Sequence, residues 1–477
     1  SRDDEILCRP MEHHPTRPRD TGPENPVSWR TGSQAHGDTG VSGHPTVRDD
    51  PDDVMVRRAA TTGHRMAMGP GEPALTEWAA AGLALPDETV MMRYRLDRIV
   101  ARLAADDLDG ILLFDPMNVM YATYAPNMQV WLLHNQARYA FVGADGRLVL
   151  FDYPGCGFLS AHNPFVHEVR PATTFTYFLA GDRADKQAGS FAAEIAELLT
   201  EHGGGGRRLA LDSSTTLGVT ALQDTGISLV EGTRVMEEAR KVKGPDEITA
   251  MRCSLEGTRV ACRKMFEAMA PGMSENQLWG VLWAEMLARH GEWMECRLLA
   301  AGDRTNPWFQ ECSSSIIENG DVIAFDTDLV GAYGMMSDIS RTWVCGDAPA
   351  TSEALRAHAL AVEQINRNID LLRPGMTFHD LAHRSWAPPE EEYRHYSVLF
   401  HGVGQCDEYP SIPFPSAWDE SGYDGVLEPG MVMTVEAYVG ARSGGHGIKL
   451  ENQVLVTENG YENLSPWTLD LGRFELL

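Results

Sequence analysis

The chain has 477 residues, of which 43% are hydrophobic and 23% charged, a composition typical of globular proteins with room for two domains. Its formal net charge of −28 argues against nucleic acid or an anionic membrane as a partner. A membrane span is not expected, because no run of about 18 apolar residues occurs, and the N-terminus lacks a basic-then-apolar signal pattern. None of the eight cysteines forms a CxxC pair, which predicts free thiols and a cytoplasmic location.

The first predicted segment covers residues 1–72 and is rich in Pro, Gly, Asp, Arg and His, with little hydrophobic periodicity. Such a composition predicts a disordered tail. Order is predicted to begin near residue 75, where an amphipathic helix with Met92, Leu96 and Ile99 on its apolar side leads into the strand GILLFD. The strands YAFVGA, LVLFDY and RLALD then alternate with the helix FAAEIAELLTEHG, so residues 75–238 are predicted to form an α/β domain.

The second predicted domain covers residues 240–477. Its first stretch, RKVKGPDEITAMRC, predicts a boundary followed by a helix, because Gly244 and Asp246 suit a helix cap and Pro245 suits its first turn. Long helices are predicted as far as about residue 290, and strands, hairpins and short helices beyond it. The chain is therefore predicted to be of the α/β (α+β) class, with two domains after the tail.

Three carboxylates stand out in the stretch FDTDLVGAYGMMSDISRT, residues 325–342. DVIAFDTDLVG reads as a strand, and Asp326 and Asp328 are two residues apart, so they are expected to face the same side. The turn GAYG and the return strand SDISRTWV are expected to bring Asp338 beside them. Three converging carboxylates repel one another unless a cation lies between them. An EF-hand is excluded, because the position of its bidentate Glu is Ser337.

Three further candidates follow in apolar surroundings. His401 lies in LFHGVGQCDEYP, beside two glycines, while Glu436 and Glu451 each interrupt an apolar strand. The intervening GARSGGHG predicts a hairpin that pairs those two strands. Each residue alone is commonly structural, but together the oxygen-rich set with one imidazole predicts a site for one or two divalent ions such as Fe, Mn, Co or Zn.

These residues resemble the pita-bread metalloenzyme superfamily, which includes methionine aminopeptidase, prolidase and creatinase. The resemblance covers about residues 240–465, and the domain before it is similar to the N-terminal domain of creatinase and prolidase. It implies a pita-bread catalytic domain, two divalent metal ions and a homodimer. The metal ligands that it implies are Asp326, Asp328 or both, with Asp338, His401, Glu436 and Glu451.

Three departures separate this chain from the peptidases of that superfamily. The Gly of the peptidase D-x-G pattern is replaced by Asp328. Where those peptidases carry a further His after the metal-binding one, this chain has Glu408, seven residues after His401. An upstream His that contacts the peptide substrate is absent, and that stretch reads TNPWFQE, with Trp308 and Phe309. The departures disfavour peptide hydrolysis and leave the metal ligands in place.

A closer resemblance, which shares these departures, is to the family of dimethylsulfoniopropionate lyases of the DddP type. It spans about residues 75–465 and includes TEWAAAGL, RLLAAGDRTNPWFQEC, HGVGQCDEYP and KLENQVLVTENGYENL. It implies cleavage of this small zwitterionic sulfonium substrate to dimethyl sulfide and acrylate, with iron as the expected metal. It also implies that Asp407 is the catalytic base and that Trp131 and Tyr396 bind the sulfonium group.

Two alternatives to a lyase belong to other functional classes. One is a dinuclear metallohydrolase of the Xaa-Pro peptidase type, which the missing histidines disfavour. The other is a non-catalytic binding protein with the same fold, which the complete set of metal ligands disfavours.

Overall fold

The computed structural model of the protein describes residues 69–472 and 474, so the predicted tail lies outside the described residues except for its last four. The amino-terminal half of the described chain alternates strands with helices, as the sequence predicts. Its elements are α1 (Ala74–Ala80), α2 (Glu88–Ala105), β1 (Gly110–Leu113), α3 (Pro116–Thr123), α4 (Gln129–Leu132), β2 (Tyr139–Gly143), β3 (Leu148–Asp152), β4 (Glu168–Pro171), α5 (Tyr177–Ala180), α6 (Ala184–His202), β5 (Arg208–Leu211), α7 (Thr216–Asp224), β6 (Ser228–Glu231) and α8 (Thr233–Arg240).

These six strands form one sheet in the order β4-β3-β2-β1-β5-β6. β1 pairs antiparallel with β2 and parallel with β5, so the sheet is mixed. Helices cover both faces because both faces are apolar: Ile99 and Leu103 of α2 pack on one, and Phe191 and Ile195 of α6 pack on the other. The predicted α/β pattern is confirmed, while the exact domain limits stay a prediction.

The carboxy-terminal half begins with two long helices and continues mainly as strands and short helices. This change of pattern was predicted from the sequence and is confirmed. Its elements are α9 (Pro245–Ala268), α10 (Glu275–Ala288), β7 (Trp293–Met294), β8 (Leu299–Ala301), β9 (Val322–Asp326), β10 (Leu329–Val330), β11 (Met336–Ser337), β12 (Ser340–Val344), α11 (Ser352–Ile369), α12 (Phe378–Arg384), β13 (Tyr393–Arg394), β14 (Phe400–Val403), β15 (Asp407–Ile412), α13 (Trp418–Ser421), β16 (Val432–Ala441), β17 (Gly447–Thr457) and β18 (Gly460–Asn463).

The start of α9 connects the two halves. Gly244 is the N-cap and Pro245 the first helical residue, as predicted, and the Glu247 side chain accepts a hydrogen bond from the Gly244 amide at 3.1 Å. Glu247 also accepts a 2.7 Å hydrogen bond from Nε of Arg95 on α2, and both side chains are buried. Removing either partner would leave a buried charge unpaired, so this ion pair fixes α2 against α9.

The predicted strand DVIAFDTDLVG is not one strand. β9 ends at Asp326, and β10 begins at Leu329 in a different three-stranded sheet. Asp328 lies between them with φ of 36°, in the left-handed region that non-glycine residues seldom adopt. The prediction that Asp326 and Asp328 lie on one continuous strand, and so face the same side, is therefore wrong. The strand ends at Asp326, and the backbone turns before Asp328.

The predicted hairpins are confirmed. β9 pairs antiparallel with β12, and β16 pairs antiparallel with β17 over nine residue pairs. The latter two strands are buried along nearly their whole length, and α11 packs on them through Ala357, Ala361 and Ile365. Because these strands are long and buried, the charged side chains in their middle are held rigidly and away from solvent. No helix in the described part of the chain combines the length and apolar character needed to cross a membrane.

Candidate metal centre

The β16–β17 hairpin brings two glutamates face to face. Glu436 is the register partner of Glu451, and both side chains are almost fully buried, at 1% and 0% exposure. Like charges directly opposite each other on a sheet destabilise it, and burial makes the repulsion stronger. This pair therefore requires a compensating positive charge.

The β9–β12 hairpin adds two aspartates to the same place. Asp326 ends β9 opposite Ser340, whose hydroxyl lies 2.8 Å from Asp326 Oδ1 and 2.8 Å from Glu451 Oε2. Asp338 lies just before β12 and is buried as well. The two hairpins thus converge through Ser340, and four of the predicted ligands share one interior site.

His401 on β14 completes the group. Its Nε2 atom lies 3.2 Å from Glu436 Oε1, 3.4 Å from Asp338 Oδ2 and 3.8 Å from Glu451 Oε1. Groups of three ligand atoms lie within 4.8 Å of one another, which is the spacing that a shared cation needs. These groups are Asp338, His401 and Asp407; His401, Glu436 and Glu451; and Asp326, Asp338 and Glu451.

The residue that sequence reasoning missed is Lys449. Its ammonium group is fully buried and lies 3.0 Å from Asp326 Oδ2, 2.6 Å from Glu436 Oε2 and 3.1 Å from Glu451 Oε2. It also donates to the Ser340 hydroxyl at 2.7 Å. A signal was present, because Lys449 is two residues before Glu451 on one strand and so faces the same side.

Burial sets the protonation of the cluster. It raises the pKa of Asp338 well above its usual value, with Glu451 adding to the effect, and it raises the pKa of Glu451 to about 7, with Glu436 contributing. Burial by itself would lower the pKa of His401, but Asp407 and Glu436 raise it well above the ordinary value. The clustered carboxylates thus disfavour one another's ionisation and stabilise a positive charge bound among them.

The donor set fits divalent metal ions. Asp338 Oδ1 and Glu451 Oε1 are buried and have no hydrogen-bond partner among the described residues. Buried acceptors without partners are costly, and a cation beside them would remove that cost. Carboxylate oxygens with one imidazole nitrogen suit several first-row metals, so the residues match the predicted metal site without selecting one ion.

Asp328 lies beside this centre but outside the three groups of ligand atoms. Its Oδ2 accepts a hydrogen bond from the Cys296 thiol at 2.5 Å. Burial raises its pKa well above the usual value, and Asp326 and Asp407 raise it further, so their carboxylates are near. Metal ligation by Asp328 stays a prediction, and its observed partner is a thiol that the sequence did not single out.

Asp407, the predicted base, lies at the edge of the centre. Its Oδ1 is 3.6 Å from His401 Nδ1, and its side chain is 56% exposed. It lines a cavity of about 580 Å³, which we call the Asp407 cavity, together with Glu295, Arg240 and Asp115. A carboxylate that touches the buried cluster and also faces open space can meet a substrate there.

The two predicted substrate aromatics occupy different surroundings. The Tyr396 ring has its centre 4.2 Å from the Lys449 ammonium and stacks on Phe309 at 5.1 Å, so it adjoins the buried cluster. Trp131 on α4 packs near Tyr153 and lines another cavity, of about 590 Å³. The two cavities share wall residues, so the Trp131 surroundings adjoin the Asp407 cavity. The shared residues are Gln129, Val130 and Trp293.

The positions at which the sequence departs from peptidases have other partners. Glu408 is buried and accepts a 2.8 Å hydrogen bond from Lys243 Nζ. Burial tends to raise its pKa, but Lys243 and Arg240 outweigh that effect and lower it, so Glu408 is an ionised structural partner. Trp308 stacks on Tyr438 at 5.9 Å.

Comparison with known proteins agrees with this geometry. Residues 249–458 match the profile of metallopeptidase family M24. The structure of an Xaa-Pro dipeptidase from Bacillus anthracis superposes with a TM-score of 0.63 at 20% identity, covering 80% of this chain and 99% of that one. The fold is therefore that of the pita-bread proteins, the class that includes the M24 metallopeptidases.

Two relatives of known activity identify the family within this class. The dimethylsulfoniopropionate lyase DddP of Roseovarius nubinhibens is 46% identical over 413 residues, which cover 85% of this chain and 93% of that protein. DddP of Roseobacter denitrificans is 43% identical, covering 85% of this chain and 92% of that protein. The chain belongs to the family of DddP-type dimethylsulfoniopropionate lyases.

Proposed function

We propose that this protein cleaves dimethylsulfoniopropionate to dimethyl sulfide and acrylate by base-catalysed β-elimination. Its membership of the DddP family, at 46% identity over most of the chain, carries the proposal. The site is compatible with it, because a buried ligand cluster adjoins a cavity into which one carboxylate, Asp407, is exposed.

The proposed cofactor is two divalent metal ions, with iron as the expected species. Asp326, Asp338, His401, Glu436 and Glu451 would hold them, with Asp328 as a sixth candidate. When bound, such ions supply Lewis-acid chemistry that polarises a substrate carboxylate. Lys449 would keep three of the carboxylates in place on the side of the cluster where its ammonium lies.

Asp407 is the proposed base. It would take the proton from the carbon next to the substrate carboxylate onto one of its own oxygens. The electron pair of that carbon–hydrogen bond forms the carbon–carbon double bond of acrylate, and the carbon–sulfur bond breaks. Dimethyl sulfide leaves as a neutral molecule with the electrons of the broken bond, so no acid is required. A positioned base contributes about 10²–10⁴-fold.

The sulfonium end requires an aromatic surface. Phe309 offers one beside the buried cluster, because its ring is 55% exposed and stacks on Tyr396. Tyr396 is a proposed sulfonium-binding residue through the family resemblance, and its ring already faces the Lys449 ammonium at 4.2 Å. Trp131 stays a proposed substrate residue through the family resemblance. If it is one, Trp131→Ala raises KM and leaves the metal content unchanged, whereas an unchanged KM removes it from the substrate site.

Two further properties complete the proposal. The protein is proposed to be a homodimer, as the resemblance to pita-bread enzymes implies, and light scattering after size-exclusion chromatography tests this directly. Its proposed location is the cytoplasm, because the cysteine pattern is typical of a reducing compartment.

One assay distinguishes the lyase from its alternatives. Metal-loaded protein is given dimethylsulfoniopropionate or an Xaa-Pro dipeptide, and dimethyl sulfide, acrylate and free proline are measured. Equal amounts of dimethyl sulfide and acrylate, without release of proline, support the proposal. Release of proline without dimethyl sulfide assigns the chain to the peptidases, and no product from either substrate supports a binding protein.

A further inference from the structure

Two histidines away from the metal centre lie one turn apart on the helix α12. His379 and His383 have the i, i+4 spacing, which places both side chains on one face of a helix. Their rings stack, with the ring centres 4.0 Å apart and the ring planes inclined by 20°. Both residues are exposed, so an ion can reach the pair directly from solvent.

The contacts of the two rings favour the tautomer that metal ions bind. His383 Nδ1 lies 2.9 Å from the carbonyl oxygen of His379. Because a carbonyl oxygen only accepts hydrogen bonds, this Nδ1 carries the proton and Nε2 carries a lone pair. His379 Nδ1 lies 3.6 Å from Asp380 Oδ1, an acceptor that favours the same tautomer. Metal-binding histidines commonly direct their second N–H to a backbone carbonyl or a carboxylate in this way.

A tryptophan holds both rings in this arrangement. The Trp418 ring, on α13, meets the His379 ring edge-on at 5.3 Å and the His383 ring at 5.6 Å. Trp418 in turn packs against the hydrophobic core that contains Phe378 and Leu381 of α12. Because packing already restricts the two imidazole rings, they lose little rotamer freedom when an ion binds, and this favours binding.

The charges of α12 and α13 favour a cation. The two helices carry three acidic side chains, Asp380, Asp419 and Glu420, against one arginine, Arg384. The chain as a whole has a formal net charge of −28, which raises the concentration of cations at its surface.

The donor atoms define the class of metal. Imidazole nitrogens suit copper, nickel and zinc, whereas Mg²⁺ and Ca²⁺ prefer oxygen ligands. The ring centres are 4.0 Å apart, so one ion with bonds of about 2.0–2.1 Å can reach both rings. We infer that His379 and His383 form a second metal site, a surface chelate for one Cu²⁺, Ni²⁺ or Zn²⁺ ion. Cu²⁺ is expected to bind most tightly, because the affinity of nitrogen ligands for these ions peaks at copper.

This inference goes beyond the proposed function. Neither histidine belongs to the three groups of ligand atoms at the metal centre. Phe378 of α12 meets Tyr409 of β15 edge-on at 5.7 Å, so the helix packs against the strand that begins with Asp407. The second site therefore lies on a helix next to the strand of the proposed base, and its occupancy does not depend on lyase activity.

Electron paramagnetic resonance of Cu²⁺ bound to the full chain tests the inference. The metal centre is first loaded with Zn²⁺, which gives no signal, and Cu²⁺ is then added up to one equivalent per chain. We expect a signal from copper bound by two imidazole nitrogens. His379→Gln and His383→Gln are each expected to weaken this binding at least about tenfold, because either substitution destroys the chelate. The double variant should therefore lose little more than either single variant.

His134→Gln is the matched control, since His134 is exposed and lies in the other half of the chain. It is expected to leave the two-nitrogen signal unchanged. A two-nitrogen signal that persists in either single variant, or that the control removes equally, would overturn the inference. Losses that add up in the double variant would show two independent histidines and would overturn it as well. Circular dichroism verifies that each variant is folded.

A second measurement needs no substitution. Crystals soaked with Zn²⁺ show the ion directly through its anomalous scattering. A peak about 2.0–2.1 Å from a ring nitrogen of both His379 and His383 supports the inference. A peak at one of the two rings, or no peak on α12, contradicts it, whether or not dimethyl sulfide is produced.

Discussion

Lys449 is the residue that most changes how the centre is understood. Three buried carboxylates share its ammonium group, and the aromatic face of Tyr396 covers it at 4.2 Å. Burial tends to lower the pKa of Lys449, but Asp326 and Glu436 outweigh burial and raise it well above the usual value. The centre therefore contains a permanent cation of its own.

Lys449→Met is expected to destabilise the metal-free protein by about 3–5 kcal/mol, because it leaves buried carboxylates without their partner. Urea unfolding at pH 7 measures the change in free energy of unfolding. Lys264→Met is the control, since Lys264 and its partner Glu267 are about half exposed, and a change within about 0.5 kcal/mol is expected. Equal effects of the two substitutions would show that Lys449 has no special structural role.

Phe309 is a second informative residue, because it combines an exposed ring with a left-handed backbone (φ 72°) beside Tyr396. Phe309→Ala is expected to raise KM for dimethylsulfoniopropionate about 2- to 30-fold, the equivalent of one cation–π contact. Metal content should not change. Phe178→Ala, at an exposed ring on α5, is the control. If the two variants have the same KM, Phe309 does not contribute to substrate binding.

At the scale of elements, the β16–β17 hairpin shows what a sequence can predict. Apolar strands interrupted by one acid, with a glycine-rich turn between them, correctly indicated antiparallel pairing. The break after Asp326 was not predictable from periodicity, because the apolar runs on either side of DTD in DVIAFDTDLVG read as one continuous strand. What decides the break is a left-handed Asp328 and a thiol partner from a distant segment, Cys296, and such contacts are visible only in three dimensions.

The hairpin also predicts how metal affinity depends on pH. Burial, with Glu436 opposite, raises the pKa of Glu451 to about 7, so the metal-free protein holds a proton there at lower pH. Metal binding must displace that proton. Metal binding must also displace the protons that His401 and Asp338 hold, because their pKa values are raised as well. The dissociation constant for Mn²⁺ is therefore expected to rise as pH falls below 7, by at least about tenfold per pH unit.

Competition titration with a chromophoric chelator, between about pH 6 and 8, measures this dependence. Glu451→Gln is the comparison, because it removes the titrating carboxyl and should flatten the slope as well as weaken binding. An affinity for Mn²⁺ that is constant across this pH range would refute the assignment of Glu451 as a proton-holding ligand.

At the scale of the whole molecule, buried ion pairs connect segments far apart in sequence. Arg95 pairs with Glu247, and Lys243 pairs with Glu408, the position at which peptidases have a further histidine. The sequence identified Glu408 as a departure but not its partner, because pairing across 165 residues has no local signature. The residues of the buried cluster could be selected from the sequence, since Glu436 and Glu451 interrupt apolar strands, whereas Lys449 and the arrangement of the cavities required the fold.

The most direct test of the account is Asp407→Asn, which keeps the shape of the side chain and removes the base. Dimethyl sulfide in the headspace and bound metal per chain are measured on the same preparation. The account predicts that turnover falls by about 10²–10⁴-fold while the metal content equals that of the unsubstituted protein. Near-normal turnover, or loss of metal together with activity, would contradict the assignment of Asp407 as the base.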